Sequence, residues 1–262
     1  FFFFGGGVLK CEARVLVNYS YRIWDCFTKY KNKSRNLYSL SSERHIIPSK
    51  KGFKEKIDMK ILLVVYDNDS YIHWFPQGLG YIAAVLEREG YKVEIYSQDL
   101  HHYPEEHLTE YLNKNHFDFI AISVIAGYYQ YGQLLKLSKA INESQDRPYY
   151  LLGGHGPAPE PDYFLKKTGA DAIVIGEGEE TILELLEAVI NKKPLSKISG
   201  IAYQDGGETI VTPERPLIPE KDLDGIPFPA YHMFPIEYYR LIRHPRADSN
   251  DFVMPVLSGR GC

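Results

Sequence analysis

Gly169-Ala-Asp-Ala-Ile-Val-Ile-Gly-Glu-Gly-Glu-Glu-Thr181 decides the fold class. Asp171 to Ile175 is a short apolar run, the form of a strand buried on both faces. It breaks on Gly176-Glu-Gly178, and then Ile182, Leu183, Leu185, Leu186 and Val189 take up helical spacing over Glu179 to Asn191. A buried strand that turns through glycines into an amphipathic helix is half of a βαβ unit.

Outward from this block the same alternation repeats. Lys60 to Tyr66, Lys92 to Tyr96, Phe117 to Ser123 and Pro148 to Leu152 are further strand-like runs. Their starts recur about every 23 to 32 residues, the length of a strand plus a crossover helix. Between them, Leu79, Ile82, Ala83 and Leu86 before Gly90, and Leu134, Leu137, Ala140 and Ile141, have helical spacing, and a short helix is expected around Asp162 to Lys167. Gly90 reads as a helix C-cap. Five such units predict an α/β fold: a doubly wound, mostly parallel five-stranded sheet, flavodoxin-like or Rossmann-like.

Downstream, Ser199 to Tyr203 and Glu208 to Thr212 flank Gln204-Asp-Gly-Gly207, which predicts a β-hairpin that extends the sheet at its edge. Pro213 to Arg246 is rich in proline, with Asp224-Gly-Ile-Pro-Phe-Pro-Ala-Tyr231 at its centre, and reads as a linker with little regular structure. Phe252 to Leu257 reads as another strand. The expected organisation is an extension over 1–58, a domain over 59–195, a hairpin over 196–212, a linker over 213–250 and the start of a further domain over 251–262.

The 262 residues are 44% hydrophobic and 24% charged with a mean hydropathy of -0.29, enough apolar material for one or two buried cores. No window approaches the roughly 18 to 20 apolar residues of a spanning helix, and no secretory signal is present. Three scattered cysteines, Cys11, Cys26 and Cys262, fit a reducing compartment, so a cytoplasmic location is expected. Residues 1–58 hold 12 Lys/Arg against 5 Asp/Glu, net +7, while the remainder holds 18 against 29, net -11. A basic arm can contact nucleic acid. Here, however, Phe1 to Gly7 is what a run of T followed by a run of G encodes, and no Met precedes Met59. Lys54-Glu55 can be encoded by a purine-rich ribosome-binding sequence at a normal distance from Met59. The expectation is therefore that translation begins at Met59, that 1–58 is a non-native or disordered extension, and that no nucleic-acid partner is involved.

In a doubly wound sheet, ligands bind outside the carboxyl ends of the strands. The loops there are Asp67-Asn-Asp-Ser70, Ser123-Val-Ile-Ala-Gly127, Gly153-Gly-His-Gly-Pro157 and Gly176-Glu-Gly-Glu-Glu-Thr181. Glycines let a ligand approach the backbone, and amides at a helix start favour anionic or polar groups. A large planar or phosphate-bearing ligand fits, although glycines also make tight βα turns unaided. Gly78-Leu-Gly-Tyr-Ile-Ala83 matches a dinucleotide fingerprint only loosely and starts a dozen residues after its strand. A phosphoacceptor receiver needs an Asp where Ser123 stands, and Tyr71 to Pro76 is too bulky and apolar for an FMN phosphate loop.

These loops together resemble the cobalamin-binding domain found at the N-terminus of many radical S-adenosylmethionine enzymes. The resemblance spans Met59 to about Asn191 and rests on Gln77-Gly-Leu-Gly-Tyr-Ile-Ala-Ala-Val-Leu-Glu-Arg-Glu-Gly90, on Gly153-Gly154 with Pro157 and Glu160, and above all on the Gly169 to Thr181 block. It implies cobalamin as small-molecule cofactor, bound by Asp67, Asn68, Ser123, Val124, Gly127, Gly153, Gly154, His155, Gly156, Gly176, Glu177, Gly178 and Glu179. Ser123 and Gly153-Gly154 fall where the family lines the channel for the nucleotide tail. The D-x-H-x-x-G motif of cobalamin methyltransferases and mutases is missing after the first strand, and the nearest histidine, His73, has no glycine three residues on. The resemblance thus implies a base-off corrin with no protein histidine on cobalt.

Imidazole binds cobalt well, but His155 between Gly154 and Gly156 reads first as a turn residue. His101, His102 and His107 read as solvated residues at helix starts. Glu177, Glu179 and Glu180 read as helix-capping carboxylates or as partners for corrin amides.

Ser258-Gly-Arg-Gly-Cys262 resembles the family's approach to the C-x-x-x-C-x-x-C motif, with Cys262 as the first ligand of a [4Fe-4S] cluster. The expectation is a piece, inactive alone, of a larger enzyme. The resemblance implies for that parent a cluster that binds S-adenosylmethionine, an electron donor such as flavodoxin or ferredoxin, and methyl transfer or cyclisation started by a 5'-deoxyadenosyl radical. Two other classes remain open at this stage: a stand-alone corrinoid carrier or sensor, and the nucleotide-binding half of a transferase.

Overall fold

A computed structural model describes residues 58–68, 75–125 and 127–239. The strands are β1 (Lys60–Val65), β2 (Lys92–Ser97), β3 (Phe119–Ser123), β4 (Tyr149–Gly153), β5 (Ala172–Val174), β6 (Ile201–Asp205) and β7 (Glu208–Val211). They form one sheet in the order β2-β1-β3-β4-β5-β6-β7. The first five strands are parallel, with Leu63 opposite Ile95 on one side and Ala121 on the other, and Ser123 opposite Gly153. Among the described residues the sheet therefore has seven strands. The five expected from βα spacing are all present, and the hairpin adds β6 and β7 antiparallel beyond β5.

The helices are α1 (Gln77–Arg88), α2 (Gln98–His101), α3 (Glu105–Lys114), α4 (Tyr128–Asn142), α5 (Pro161–Thr168), α6 (Gly178–Ile190) and α7 (Ile236–Tyr239). Alternate residues of β1 feed opposite faces. Ile61, Leu63 and Val65 pack with Leu79, Ala83 and Leu86 of α1 and Ile182, Leu185 and Leu186 of α6. Leu62 and Val64 pack with Leu108 and Leu112 of α3, Leu134 and Leu137 of α4 and Leu165 of α5. This two-sided burial is why the strands read as unbroken apolar runs. Gly90 lies just past α1 with φ of 87°, the left-handed conformation that a helix C-terminus reserves for glycine.

The proline-rich segment after the hairpin departs from its expected looseness. Short 3-10 turns at Glu220–Gly225 and Tyr231–Met233 lead into α7. Ala230, Phe234 and Tyr239 are buried in the same core as α1. The Phe75 ring meets those of Tyr231, Phe234 and Tyr239 at centroid distances of 4.8, 5.1 and 5.7 Å. The Ala230 amide donates to the Gly80 carbonyl at 2.9 Å. A Cβ on Gly80 would stand 2.9 Å from the Phe75 ring and 3.0 Å from Pro229, so this glycine exists for close packing of the segment across α1. Composition hides the packing because a few aromatic and apolar anchors, Ala230, Tyr231, Phe234 and Tyr239, suffice among many prolines.

At the amino edge of the sheet, His116 Nδ1 lies 2.6 Å from Asp146 Oδ2 and Nε2 lies 3.5 Å from Asp118 Oδ1. The Asp146 hydrogen bond, reinforced by both carboxylate charges against slight desolvation, raises the His116 pKa above its ordinary value. A raised value means the contribution to stability is complete below the unfolded pKa of 6.5 and fades as pH rises through the folded one. His116→Ala is expected to lower the urea midpoint at about pH 5.5 and leave it unchanged at about pH 9. The loss should stay below about 1 kcal/mol because the ring is largely exposed. An equal loss at both pH values would remove protonation from the account.

Candidate functional site

Asp67 and Asn68 leave β1 under the control of two buried polar residues that follow β2. Gln98 and Asp99 are 2% and 1% exposed. The Asp67 amide donates to Gln98 Oε1 at 3.1 Å and the Asn68 amide to Asp99 Oδ1 at 3.2 Å. Gln98 is itself anchored on the Tyr103 carbonyl, and the Tyr238 hydroxyl donates to the Asp99 carbonyl at 2.6 Å. Burial, with the charges of Asp99 and Asp67 nearby, pushes the Tyr238 phenol up to about 12, so it remains a donor at any physiological pH.

His101 and His102 are exposed as expected but stand at the C-terminal end of α2, and His107, half-buried, lies at a helix start, in the first turn of α3; all three make specific contacts. His102 caps the C-terminus of α2 in the left-handed region, and its Nδ1 lies 2.6 Å from Asp67 Oδ2. His107 accepts or donates a 2.8 Å bond with the Tyr96 hydroxyl and stacks on Tyr103 with ring centroids 4.0 Å apart, and His101 stacks on the same ring at 4.8 Å. These contacts join residues from separate turns, which no helical period announces.

The loops after β3 and β4 are stitched together. The Val124 amide donates to the Gly153 carbonyl and the Gly156 amide to the Val124 carbonyl, both at 2.9 Å. Gly154 sits between them with φ of 89°, and a Cβ there would fall 2.5 Å from the Val124 carbonyl oxygen. Only glycine fits that turn. Gly153 is different, since a Cβ at Gly153 or Gly176 meets nothing within 4 Å. A Cβ on Gly78, at the start of α1, would have only Ser123 Oγ within reach, at 3.8 Å. Ser123 and Gly153 thus end the neighbouring strands β3 and β4, Gly176 follows β5 by two residues, and the space beside both glycines is open.

The acidic turn before α6 is partly committed elsewhere. Glu177 Oε2 accepts the Ile218 amide at 2.6 Å, and the carboxylates of Glu180 and Glu184 pair with Arg215. These groups hold the returning segment, and Glu179 is buried at the first turn of α6. Gly178 faces α1, where an added Cβ would come within 3.0 Å of Ile82 Cδ1. His155 is exposed in the loop after β4.

A cavity of about 320 Å³ opens between the β3 and β4 loops. Val124, Gly127 and Gly156, all expected site residues, line one side, and Tyr131 of α4 with Tyr163 and Phe164 of α5 line the other. The Tyr131 and Tyr163 hydroxyls are 2.6 Å apart. The tyrosines escaped the sequence reading because they sit one turn inside helices; an aromatic at each helix start facing a glycine loop is the one signal that points to them. His73 and Cys262 lie outside the described residues.

Among the described residues no group of three His, Cys, Asp or Glu side chains is placed to hold a metal ion, and no helix is long and apolar enough to cross a membrane. The edge offers the Ser123 hydroxyl and open space beside Gly153 and Gly176, which suit a large polar ligand held by many weak contacts.

Residues 63–186 match the family described as the B12 binding domain. An uncharacterized methyltransferase of Pyrococcus horikoshii is 30% identical over 212 residues, 78% of this chain and 43% of that protein. The cytidylyl-2-hydroxyethylphosphonate methyltransferase of Streptomyces wedmorensis is 30% identical over 203 residues, 63% of this chain and 38% of its own length. The chain thus spans less than half the length of these curated relatives. Among solved structures, the radical S-adenosylmethionine methyltransferase TsrM from Kitasatospora setae, with cobalamin and a [4Fe-4S] cluster bound, shares the fold. Its TM-score is 0.54 at 21% identity, over 62% of this chain and 30% of that one.

Proposed function

We propose that this chain, whose residues 63–186 are a B12-binding domain, holds cobalamin across the carboxyl edge of its sheet. The observation that carries the placement is the glycine-lined space at the ends of β3, β4 and β5. Ser123, Gly153 and Gly176 would border the nucleotide tail, while Val124, Gly127 and Gly156 would lie under the corrin rim. Asp67 and Asn68 would close the β1 side, fixed there by Gln98 and Asp99. His155 and Glu179, with Gly154, Glu177 and Gly178, complete the set as turn and helix-start residues beside the ligand.

The cofactor is proposed to bind base-off with no imidazole of the chain on cobalt. When bound, cobalamin supplies a metal centre that carries and donates methyl groups. The residues of this chain bind and orient it and shield it from water. The whole protein is proposed to be a cytoplasmic cobalamin-dependent radical enzyme of the methyltransferase or cyclase kind. Its [4Fe-4S] cluster, begun at Cys262, and its S-adenosylmethionine site would draw electrons from a flavodoxin or ferredoxin.

Electron paramagnetic resonance of cob(II)alamin on the chain tests the ligation. A signal without axial nitrogen splitting is expected, like that of cobinamide. Nitrogen splitting that vanishes in His102→Ala or His155→Ala would replace this reading with a histidine-ligated one.

A further inference from the structure

We propose that Tyr131 and Tyr163 form a clamp for a peripheral carboxamide of the corrin, in the cavity beside the β3 and β4 loops. The inference rests on the cobalamin reading above and adds two contact residues to it. Three observations carry it.

The first is continuity. Val124, Gly127 and Gly156 line the cavity and belong to the same carboxyl-edge loops that would support the corrin. At about 320 Å³ the cavity is too small for a tetrapyrrole-sized ring and is of a size for one of its side chains.

The second is hydrogen-bond arithmetic. A phenol has one proton to donate and lone pairs to accept. Two phenols bonded to each other at 2.6 Å use one proton between them, which leaves the pair one donor and a set of acceptor sites. A primary carboxamide is the complement, with a carbonyl to accept and an NH2 to donate, and corrin carries such amides around its rim. A carboxylate would leave the acceptor half unused. The mutual hydrogen bond raises the Tyr131 pKa, so this hydroxyl stays protonated across the neutral range.

The third is an aromatic frame. The phenol rings stack with centroids 6.2 Å apart, and Phe164 meets them edge-on at 5.9 and 5.6 Å. Ile125, 64% exposed at the mouth, is apolar surface that a ligand would cover. The Tyr131–Tyr163 hydrogen bond itself lies at the exposed surface, so a ligand amide seated there would cover these hydroxyls. The Lys167 ammonium lies over the face of the Tyr163 ring, 5.9 Å from its centre.

The experiment is a titration of the full chain with hydroxocobalamin, read by visible absorbance, for the wild type, Y131F, Y163F and the double variant. Cobalamin with one rim amide hydrolysed to the acid serves as a second probe, each regioisomer separately. Loss of two hydrogen bonds is expected to weaken binding of intact cobalamin by about tenfold in the double variant. One regioisomeric acid should bind the wild type correspondingly weakly, with that discrimination gone in the double variant. Intact circular dichroism in the phenylalanine variants is expected, because the rings and their stacking remain. Wild-type binding with unchanged affinity in the double variant would overturn the clamp alone. Absence of binding by folded wild type would overturn both the clamp and the cobalamin reading.

Discussion

Gly153→Trp is expected to reduce cobalamin affinity at least about a hundredfold, roughly 2.7 kcal/mol, while the domain stays folded. Gly153 ends β4 where an added Cβ meets nothing within 4 Å, and its φ is not in the left-handed region, so the backbone accepts a side chain. The indole would occupy the space between Ser123 and the β5 turn in which we propose the nucleotide tail lies. Gly154→Ala is the control with the opposite profile. Its φ of 89° and the Val124 carbonyl 2.5 Å from a new Cβ place the damage in the fold itself, a cost of order 1 to 3 kcal/mol. A thermal melt and an absorbance titration on both variants separate the two. Full affinity in a folded Gly153→Trp would move the ligand away from this edge.

Phe234→Ala should destabilise the domain by about 3 kcal/mol, although the residue lies in a stretch that reads as linker. Its ring is 6% exposed and packs on Phe75, within the cluster that Tyr231 and Tyr239 complete over α1. Truncation removes that burial and leaves a void between α1 and the returning segment. For a domain of this size the loss corresponds to a fall in melting temperature of roughly 6 to 12 °C. A shift of less than about 1 kcal/mol in the denaturant midpoint would mean that residues 213–239 rest on the domain without stabilising it.

The parallel core was legible because both of its faces are covered. Each strand is an apolar run, and the glycine breaks at Gly153 and Gly176 mark the carboxyl edge. The segment after the hairpin was opaque for the opposite reason. Its contacts are single long-range anchors, such as Ala230 on Gly80, Ile218 on Glu177 and Arg215 between Glu180 and Glu184, and they follow no period. Glu177 and Glu180 illustrate the point: their charge and helix-start position were visible, but their partners come from more than thirty residues downstream. The site divides in the same way. Main-chain features were readable from glycine spacing, whereas the Asp67–His102 pair and the Tyr131–Tyr163 pair join side chains from different loops and helices. Pairing of that kind is a property of the folded sheet order and has no signature in one strand or helix.

Gel filtration of the chain after mixing with a small excess of hydroxocobalamin tests the central claim most directly. The cobalamin chromophore is expected to travel with the protein peak at close to one per chain, and to do so far less with Gly153→Trp. Chromophore that elutes entirely with free cofactor, from a chain that is folded by circular dichroism, would contradict the account.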